Sequence, residues 1–281
     1  MIDLHSHSTI SDGTDPPAEV VALGAAAGLT ALALTDHDTL EHLPAARAAA
    51  EQHDLRLVSG CEISCELDGR APGTMHLLVY FADDSPGPLQ DRLGELQAGR
   101  RGRNEQILET LRANGVVVTQ EELDAEAGPG SAGRPHIARI LVRKGYVTSI
   151  QEAFDRWLAK GQPAYFERPR LTPEESIELA HASGAVTVVA HPGSLDLPAP
   201  ALDEFATELA GAGLDGLECL YGRYSPDERR SYSELAHRHG LAVTGGSDYH
   251  GENKPDLRVG TGRGDLAVPD ELLDRLEQRR P

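Results

Sequence analysis

The 281-residue sequence has few cysteines and few aromatic residues. Its three cysteines, Cys61, Cys65 and Cys219, form no CxxC pair and are odd in number. We therefore expect reduced, buried thiols rather than a disulfide framework or a cysteine-ligated zinc site. Aromatic residues make up 4% of the chain and hydrophobic residues 40%, which predicts a sizeable and mainly aliphatic core.

Positive charge is also scarce, with 26 Lys and Arg against 45 Asp and Glu and a net charge of −19. That balance excludes nonspecific binding of long nucleic acid or of an anionic membrane, because both need a basic surface. An anionic small substrate stays compatible, since salt screens charges beyond about 8 Å. No apolar run approaches the roughly 18 residues of a membrane span, and the N-terminus does not resemble a secretion signal. We expect a cytoplasmic protein; the sequence does not indicate its oligomeric state.

Strand-like and helix-like segments alternate along much of the chain. Strand-like runs cover residues 2–7, 30–35, 75–81, 185–190, 214–220 and 241–245, and another at 56–59 leads to Glu62. Helix-like runs cover residues 16–27, 39–53, 200–212, 225–239 and 269–278. This alternation predicts a mostly parallel α/β sheet. We favour a barrel over an open sheet, because polar clusters follow the strand ends, where barrels carry their functional residues.

One region departs from this alternation. Residues 94–165 contain helix-like runs at 95–114, 119–127, 135–145 and 149–161, and little strand character apart from 116–118. We predict a barrel formed by residues 1–93 and 166–281. Residues 94–165 would form a small helical insertion between the fourth and fifth strands, covering the active site.

Nine histidine and acidic residues lie in short clusters at the ends of apolar runs. They are His5, His7, Asp12, His37, Glu62, His76, His191, Asp248 and His250. Imidazole and carboxylate are preferred ligands of Zn²⁺, Mn²⁺ and Fe²⁺, and nine of them exceed what one ion can use. Two residues apart on a strand, side chains point to the same face, so His5 and His7 can share an ion. The pattern predicts two or three divalent ions and metal-assisted hydrolysis.

At these residues the chain resembles the polymerase and histidinol phosphatase (PHP) family of metal-dependent phosphoesterases. The motifs that match are His5-x-His7 with Asp12, Thr35-Asp36-His37-Asp38, Gly60-Cys61-Glu62, His191-Pro192 and Gly246-Ser247-Asp248-Tyr249-His250. The resemblance is closest to the branch acting on nucleotides, 3′,5′-nucleoside bisphosphates and short oligoribonucleotides. It implies a distorted (β/α)7 barrel with a trinuclear site. The implied ligand sets are His5, His7, Glu62 and Asp248 for the first metal, Glu62, His76 and His191 for the second, and Asp12, His37 and His250 for the third.

The implied reaction is hydrolysis of a phosphate ester of a nucleotide or short oligonucleotide, by attack of a metal-bridging hydroxide. Asp248 and His191 would be catalytic through the metals they hold. Mn²⁺ is the first candidate, with Fe²⁺ or Zn²⁺ as alternatives, because such ligands accept all three. Two other functions stay open: a small-metabolite phosphatase, such as a histidinol-phosphate phosphatase, and a non-catalytic metal-bound scaffold. An amidohydrolase with a carbamylated lysine is disfavoured, since none of Lys144, Lys160 and Lys254 ends a mid-barrel strand.

The insertion adds a substrate-binding candidate, Arg134, and His136, a candidate both for substrate binding and for protonating a leaving oxygen. The resemblance supports both, since related nucleotide-acting enzymes carry an Arg-x-His over the site. Arg168 and Arg170 either bind substrate or belong to a solvated linker. Glu218 is a third candidate substrate contact, with a structural role equally compatible.

Three further expectations concern neighbours of these motifs. Asp36 and Asp38 would orient the ligand histidines rather than bind metal. Histidines in polar helical stretches, His42 among them, would be solvated. Tyr221 and Tyr224 are weaker candidates for stacking on a nucleobase.

Overall fold

The computed structural model describes residues 1–82, 87–128, 132–167 and 169–281. These residues form two compact units, one of Met1–Leu93 with Arg170–Pro281 and the other of Gly94–Pro169. The predicted insertion, residues 94–165, has nearly the same bounds as the second unit. Its role as a cover for the active site stays a prediction. Arg168 lies outside the described residues.

The first unit is built on a sheet to which the described residues contribute seven strands. They are β1 (Ile2–Asp3), β2 (Ala31–Leu34), β3 (Arg56–Cys65), β4 (Met75–Phe81), β5 (Ala185–Val189), β6 (Gly216–Tyr221) and β7 (Ala242–Gly246). Their spatial order follows the chain. Neighbouring strands are parallel except for β4, which runs antiparallel to both β3 and β5.

The sheet nearly closes into a barrel. Beyond the short β1, the His7 N–H donates to the Tyr249 carbonyl oxygen at 2.9 Å, and the Asp248 N–H donates to the His5 carbonyl oxygen at 2.8 Å. The first and last strands therefore meet through the segments that carry predicted ligands. The expected distorted seven-stranded α/β barrel is confirmed.

The helices of the described residues fall in both units. They are α1 (Pro17–Ala26), α2 (Leu43–His53), α3 (Pro88–Ala113), α4 (Gln120–Ala127), α5 (Arg134–Arg143), α6 (Ile150–Ala153), α7 (Pro173–Ala182), α8 (Ala199–Gly211), α9 (Pro226–Arg238) and α10 (Glu271–Glu277). Reciprocal capping boxes begin α7 at Thr172 and α9 at Ser225, each with proline in the first turn. A π-helical turn, Phe154–Leu158, follows α6 where we expected one longer helix.

The core of the first unit explains why β2 is apolar on both faces. Ala31 and Ala33 pack inside the barrel, whereas Leu32 and Leu34 pack outward with residues of α1 and α2. Alternate side chains of a strand point to opposite faces, so a parallel strand covered by helices is buried on both.

The second unit has its own aliphatic core. Ile107 and Leu111 of α3 pack there with Leu123 of α4 and Ile137 of α5. The 116–118 segment, which had some strand character in sequence, is not a strand. Among the described residues, none of the helices is long and apolar enough to cross a membrane.

Candidate metal centre

The paired histidines after β1 show how the backbone directs ligands to one place. His5, Ser6 and His7 alternate in direction, and the Ser6 hydroxyl donates to the Ala33 carbonyl oxygen at 2.8 Å. His5 and His7 point the other way, and their Nε2 atoms lie 3.1 Å apart. Both side chains are fully buried. The structure therefore brings the two imidazoles together, as expected for residues that could share one ion.

His76 reaches the same rim from the opposite direction. We expected every ligand at the C-terminal end of a strand, but His76 is the second residue of β4. The expectation was wrong for this residue, because β4 is antiparallel to its neighbours. The N-terminal end of β4 therefore lies at the same rim as the C-terminal ends of the parallel strands, and His76 pairs with Ser64 near the end of β3.

Four ligand atoms converge around His5 and His7. Glu62 Oε2 lies 3.4 Å from His5 Nε2 and 3.1 Å from His7 Nε2. Asp248 Oδ1 lies 3.4 Å and 3.5 Å from the same two nitrogens. Ligands at metal distances of about 2.0–2.1 Å in a tetrahedron are about 3.3–3.4 Å apart. The separations of each carboxylate oxygen from the two nitrogens are of that size, so His5 and His7 could hold one divalent ion together with Glu62 or Asp248.

Glu62 presents its second oxygen to a different pair of histidines. Its Oε1 lies 3.0 Å from His76 Nδ1 and 3.2 Å from His191 Nε2. The carboxylate is 1% exposed, so imidazoles rather than water surround it. A carboxylate with one oxygen in each of two ligand groups could hold two neighbouring ions if both were bound.

Asp12 gathers the remaining predicted ligands. Its carboxylate oxygens lie 3.2 Å from His250 Nε2, 3.6 Å from His37 Nε2 and 3.5 Å from His7 Nδ1. His37 also carries a buried Nδ1 that makes no hydrogen bond, although Glu62 Oε2 is 3.1 Å away. A buried, unsatisfied imidazole nitrogen among carboxylates fits a metal ligand better than a structural histidine.

The ligand groups overlap more than the three sets that the resemblance implied, which share only Glu62. The groups with ligand atoms close enough for one ion are His7–Asp12–His37–His250, His5–Glu62–His191, His5–His7–Asp248 and His37–Glu62–His76. All nine predicted ligands are among them. The described residues therefore contain a histidine and carboxylate cluster able to bind divalent metals.

The ionisation states of the ligands differ. Burial acts to lower the pKa values of His5, His76 and His250, but neighbouring carboxylates outweigh it and raise all three, so binding of a metal ion would release protons from them. Burial, followed by the neighbouring His250, lowers the pKa of His7 to about 3, so its imidazole is neutral at physiological pH. Burial alone would raise the pKa values of Glu62 and Asp248, but the surrounding histidines outweigh it and both pKa values lie well below their usual range. Neutral imidazole and ionised carboxylate are the forms that bind metal ions.

Known proteins identify the family to which this chain belongs. The PHP domain model matches residues 3–167. The chain belongs to the PHP family. It is 32% identical to the 3′,5′-nucleoside bisphosphate phosphatase of Chromobacterium violaceum over 92% of this chain and 90% of the relative. It is 33% identical to the 5′-3′ exoribonuclease Rnm of Salmonella typhimurium over 88% of this chain and 84% of that one.

A solved structure agrees with the family assignment. A Bifidobacterium adolescentis protein proposed to be a metal-dependent phosphoesterase superposes with a TM-score of 0.82 and 30% identity. The match covers 100% of this chain and 96% of that one. The predicted PHP-type fold and family are confirmed.

In this PHP chain, residues outside the ligand set fix the ligand histidines. Glu218 is fully buried; its Oε1 accepts from His5 Nδ1 at 2.9 Å and its Oε2 from the His191 N–H at 2.7 Å. The Ser194 hydroxyl donates to the Thr74 carbonyl oxygen at 3.0 Å and so accepts from His191 Nδ1 at 2.9 Å. Both contacts leave Nε2 of the histidine free to bind metal. Glu218 is therefore placed to position His5, not to contact substrate as we had suggested.

Asp36 acts on a ligand through a serine. The Ser11 hydroxyl donates to Asp36 Oδ1 at 2.6 Å and lies 3.3 Å from His7 Nδ1. Burial acts to raise the pKa of Asp36, but His42 and its other partners lower it to about 2. The expectation that His42 is solvated was wrong: it is fully buried, with Nδ1 3.1 Å from Asp36 Oδ2. Asp38 accepts from the Ser64 N–H at 3.0 Å.

Three of the six non-glycine residues with positive φ among the described residues lie at this centre. Asp38, His191 and Asp248 have φ values of 56°, 27° and 55°, which is rare for residues other than glycine. Such strain persists where surrounding contacts hold it, commonly at functional sites. Gly246 matters for close packing rather than for its backbone conformation, because an added Cβ would lie 2.4 Å from His5 Cβ. Only glycine lets β7 approach His5 this closely.

The cluster opens into a cavity of about 310 Å³. Besides ligands, its walls contain Ser194, Tyr221, Tyr224 and Lys254. A larger cavity of about 820 Å³ is lined by Arg47, Arg56 and other residues and by none of the ligands, so size alone does not identify the site. We did not expect Ser194 and Lys254 at the site, because each lies at a short 3-10 turn without a motif of its own.

Arg134 and His136 lie in the second unit, at the start of α5. Arg134 donates to the Leu158 carbonyl oxygen at 3.1 Å, and its guanidinium lies 5.2 Å from the centre of the Tyr165 ring. His136 is buried, and its Nδ1 accepts from the Gly133 N–H at 3.1 Å. Their roles in substrate binding and leaving-group protonation stay predictions.

Proposed function

We propose that this chain is a metal-dependent phosphoesterase that hydrolyses phosphate esters of nucleotides or short oligonucleotides, with a 3′,5′-bisphosphonucleoside as a candidate substrate. The observation that carries the proposal is the Glu62 carboxylate, with Oε2 beside His5 and His7 and Oε1 beside His76 and His191. Membership of the PHP family and relatives that act on phosphate esters support the reaction class.

The protein's own contribution is to hold ligands in the correct form and direction. When bound, divalent ions lower the pKa of a coordinated water and shield the charge of the phosphoryl oxygens. Glu218 and Ser194 fix the rings of His5 and His191 by hydrogen bonds to Nδ1. Asp248 is held on its outer oxygen by the Tyr221 hydroxyl at 2.8 Å. These contacts orient the site before substrate arrives.

The finer parts of the proposal are the metal and the location. We propose Mn²⁺ ahead of Fe²⁺ or Zn²⁺, with two or three ions per chain, because the overlapping ligand groups can hold more than one. The three cysteines are free and buried, which is compatible with a reducing cytoplasmic location.

The test is initial-rate phosphate release by the Mn²⁺-loaded protein from adenosine 3′,5′-bisphosphate, AMP and a short 5′-phosphorylated RNA. Asp248→Asn should abolish turnover, whereas Asp256→Asn, a matched change at an exposed ion pair with Arg223, should not. Turnover by Asp248→Asn within about twofold of wild type at saturating Mn²⁺ would remove Asp248 from the reaction. No release from any substrate, with metal bound, would favour a small-metabolite phosphatase or a scaffold.

The predicted substrate contact of Arg134 has its own kinetic signature. If its guanidinium binds a second phosphate, Arg134→Ala should raise KM for the bisphosphate much more than for a minimal aryl phosphate. Arg139→Ala is the matched control. Arg139 lies on α5 like Arg134, but its guanidinium forms an ion pair with Glu126 of α4 at 2.8 Å. Equal effects of Arg134→Ala on both substrates would remove Arg134 from substrate selection.

A further inference from the structure

A single lysine lines the metal-site cavity. Among the described residues of that wall, Lys254 is the only Lys or Arg. Its Nζ lies 2.5 Å from Asp248 Oδ2, and its side chain is 26% exposed. Lys254 lies in a polar segment just after β7 and belongs to no ligand motif.

The two oxygens of Asp248 face different surroundings. Oδ1 lies 3.4 Å and 3.5 Å from the Nε2 atoms of His5 and His7. Oδ2 accepts from the Tyr221 hydroxyl at 2.8 Å and from Lys254. Tyr221 already provides a neutral donor for the outer oxygen, so holding Asp248 does not by itself require a second donor carrying a full charge.

An ammonium group has three N–H donors, and the bond to Asp248 uses one of them. Lys254 is partly exposed on the cavity wall, so its remaining donors are within reach of a molecule in the cavity. The cavity wall otherwise brings the carboxylates of Asp12, Glu62 and Asp248 near an incoming anion. A compact ammonium beside them offers a strong point charge to a phosphate oxygen.

We propose that Lys254 binds a non-bridging oxygen of the reacting phosphoryl group while one of its N–H groups keeps its hydrogen bond to Asp248. This inference rests on the proposed function for the identity of the ligand as a phosphate ester. Because Nζ is adjacent to a metal ligand, the contact is to the group that reacts rather than to a distant second phosphate. Lys254 is thus a substrate-binding residue whose effect does not depend on the leaving group.

The experiment measures inorganic phosphate binding by titration calorimetry, with the protein saturated with Mn²⁺ and the bound metal counted by elemental analysis. Lys254→Met should weaken phosphate binding about 10- to 150-fold, the range for losing a hydrogen bond to a charged group. Lys254→Arg should restore part of the affinity. Arg275→Met removes the same charge from an exposed position on α10 and should leave phosphate binding unchanged.

Turnover gives the second measurement. The kcat/KM of Lys254→Met should fall by a similar factor for an aryl phosphate and for adenosine 3′,5′-bisphosphate. Unchanged phosphate affinity in Lys254→Met would overturn the inference. So would loss of bound Mn²⁺ with unchanged affinity at the loaded sites, because Lys254 would then only position Asp248. If the Lys254→Met variant does not fold, Lys254→Gln gives the same comparison with a polar side chain.

The two proposals can fail separately. If wild type binds phosphate through Lys254 but hydrolyses no phosphate ester, the proposed function fails and the binding role of Lys254 stands. If wild type hydrolyses the esters and Lys254→Met does so equally well, the proposed function stands and this inference fails.

Discussion

Replacing Glu218 by glutamine tests whether the metal site depends on a residue that does not bind metal. Both oxygens of Glu218 are in use, one by His5 Nδ1 at 2.9 Å and one by the His191 N–H at 2.7 Å. Glutamine has the same shape but only one acceptor oxygen. One of the two donors must therefore face an NH₂ group. The fold should survive, because the volume does not change.

The magnitude follows from the contact that is lost. A hydrogen bond to a charged group contributes about 1.5–3 kcal/mol, which corresponds to about 10- to 150-fold in an equilibrium constant. Removing the partner of a metal-binding histidine typically costs about 10- to 100-fold in metal affinity. Both considerations give the same range, so we expect Glu218→Gln to bind Mn²⁺ about 10- to 100-fold more weakly.

The assay is competition for Mn²⁺ with a chelating indicator. The control is Asp215→Asn, three residues earlier, where a buried carboxylate accepts from the Thr187 N–H at 2.8 Å and from His181 Nε2 at 2.9 Å. Both variants should lower the melting temperature, but only Glu218→Gln should weaken Mn²⁺ binding. If the two variants bound Mn²⁺ equally tightly, Glu218 would not be positioning His5.

Three more outcomes are expected. Gly246→Ala should cost about 1–3 kcal/mol of stability and weaken metal binding, because the new Cβ displaces His5. Gly211→Ala at the end of α8 is the control, since its new Cβ meets nothing within 4 Å. Equal effects of the two substitutions in thermal melts and Mn²⁺ titrations would contradict this. Chelation of metal should lower the melting temperature by about 5–10 °C, since an ion at 100 times its Kd adds about 2.7 kcal/mol, and an unchanged melt would argue against a tightly bound ion. The thiols should resist a disulfide reagent at pH 8 until the protein unfolds, because burial raises their pKa values, that of Cys65 to about 12; rapid labelling of the native protein would refute this for Cys61, Cys65 and Cys219.

The metal cluster could be predicted from sequence because ligand type and strand position coincide. A histidine or carboxylate directly after an apolar strand has few structural alternatives, and parallel strands end at one rim. His76 shows the limit of this reasoning, since an apolar run reads the same in either strand direction. The structure extends β3 from the expected 56–59 to Cys65, so only residues 66–74 connect it to β4, and a parallel crossover needs about a dozen residues or more.

The residues that support the cluster could not be predicted in the same way. Glu218 holds His5 from 213 positions away in sequence, whereas Ser194 and Lys254 lie three and six positions from His191 and Asp248. In none of these cases does a local pattern distinguish the supporting residue from an ordinary polar residue. His42 was misjudged for the same reason. Its neighbours in sequence are polar, but the fold places it against Asp36 with no exposure to solvent.

The net charge of −19 and an anionic substrate are compatible because charge near the site differs from charge of the chain. The ligand carboxylates Asp12, Glu62 and Asp248 bring about −3 to the cluster, and an imidazole that holds an ion must be neutral. One divalent ion leaves that balance negative, whereas two bring about +4 and make it positive. The number of bound ions therefore sets the sign of the field that a phosphate meets. Lys254 moves the same balance one unit further in the positive direction, at the wall of the cavity beside the ligands.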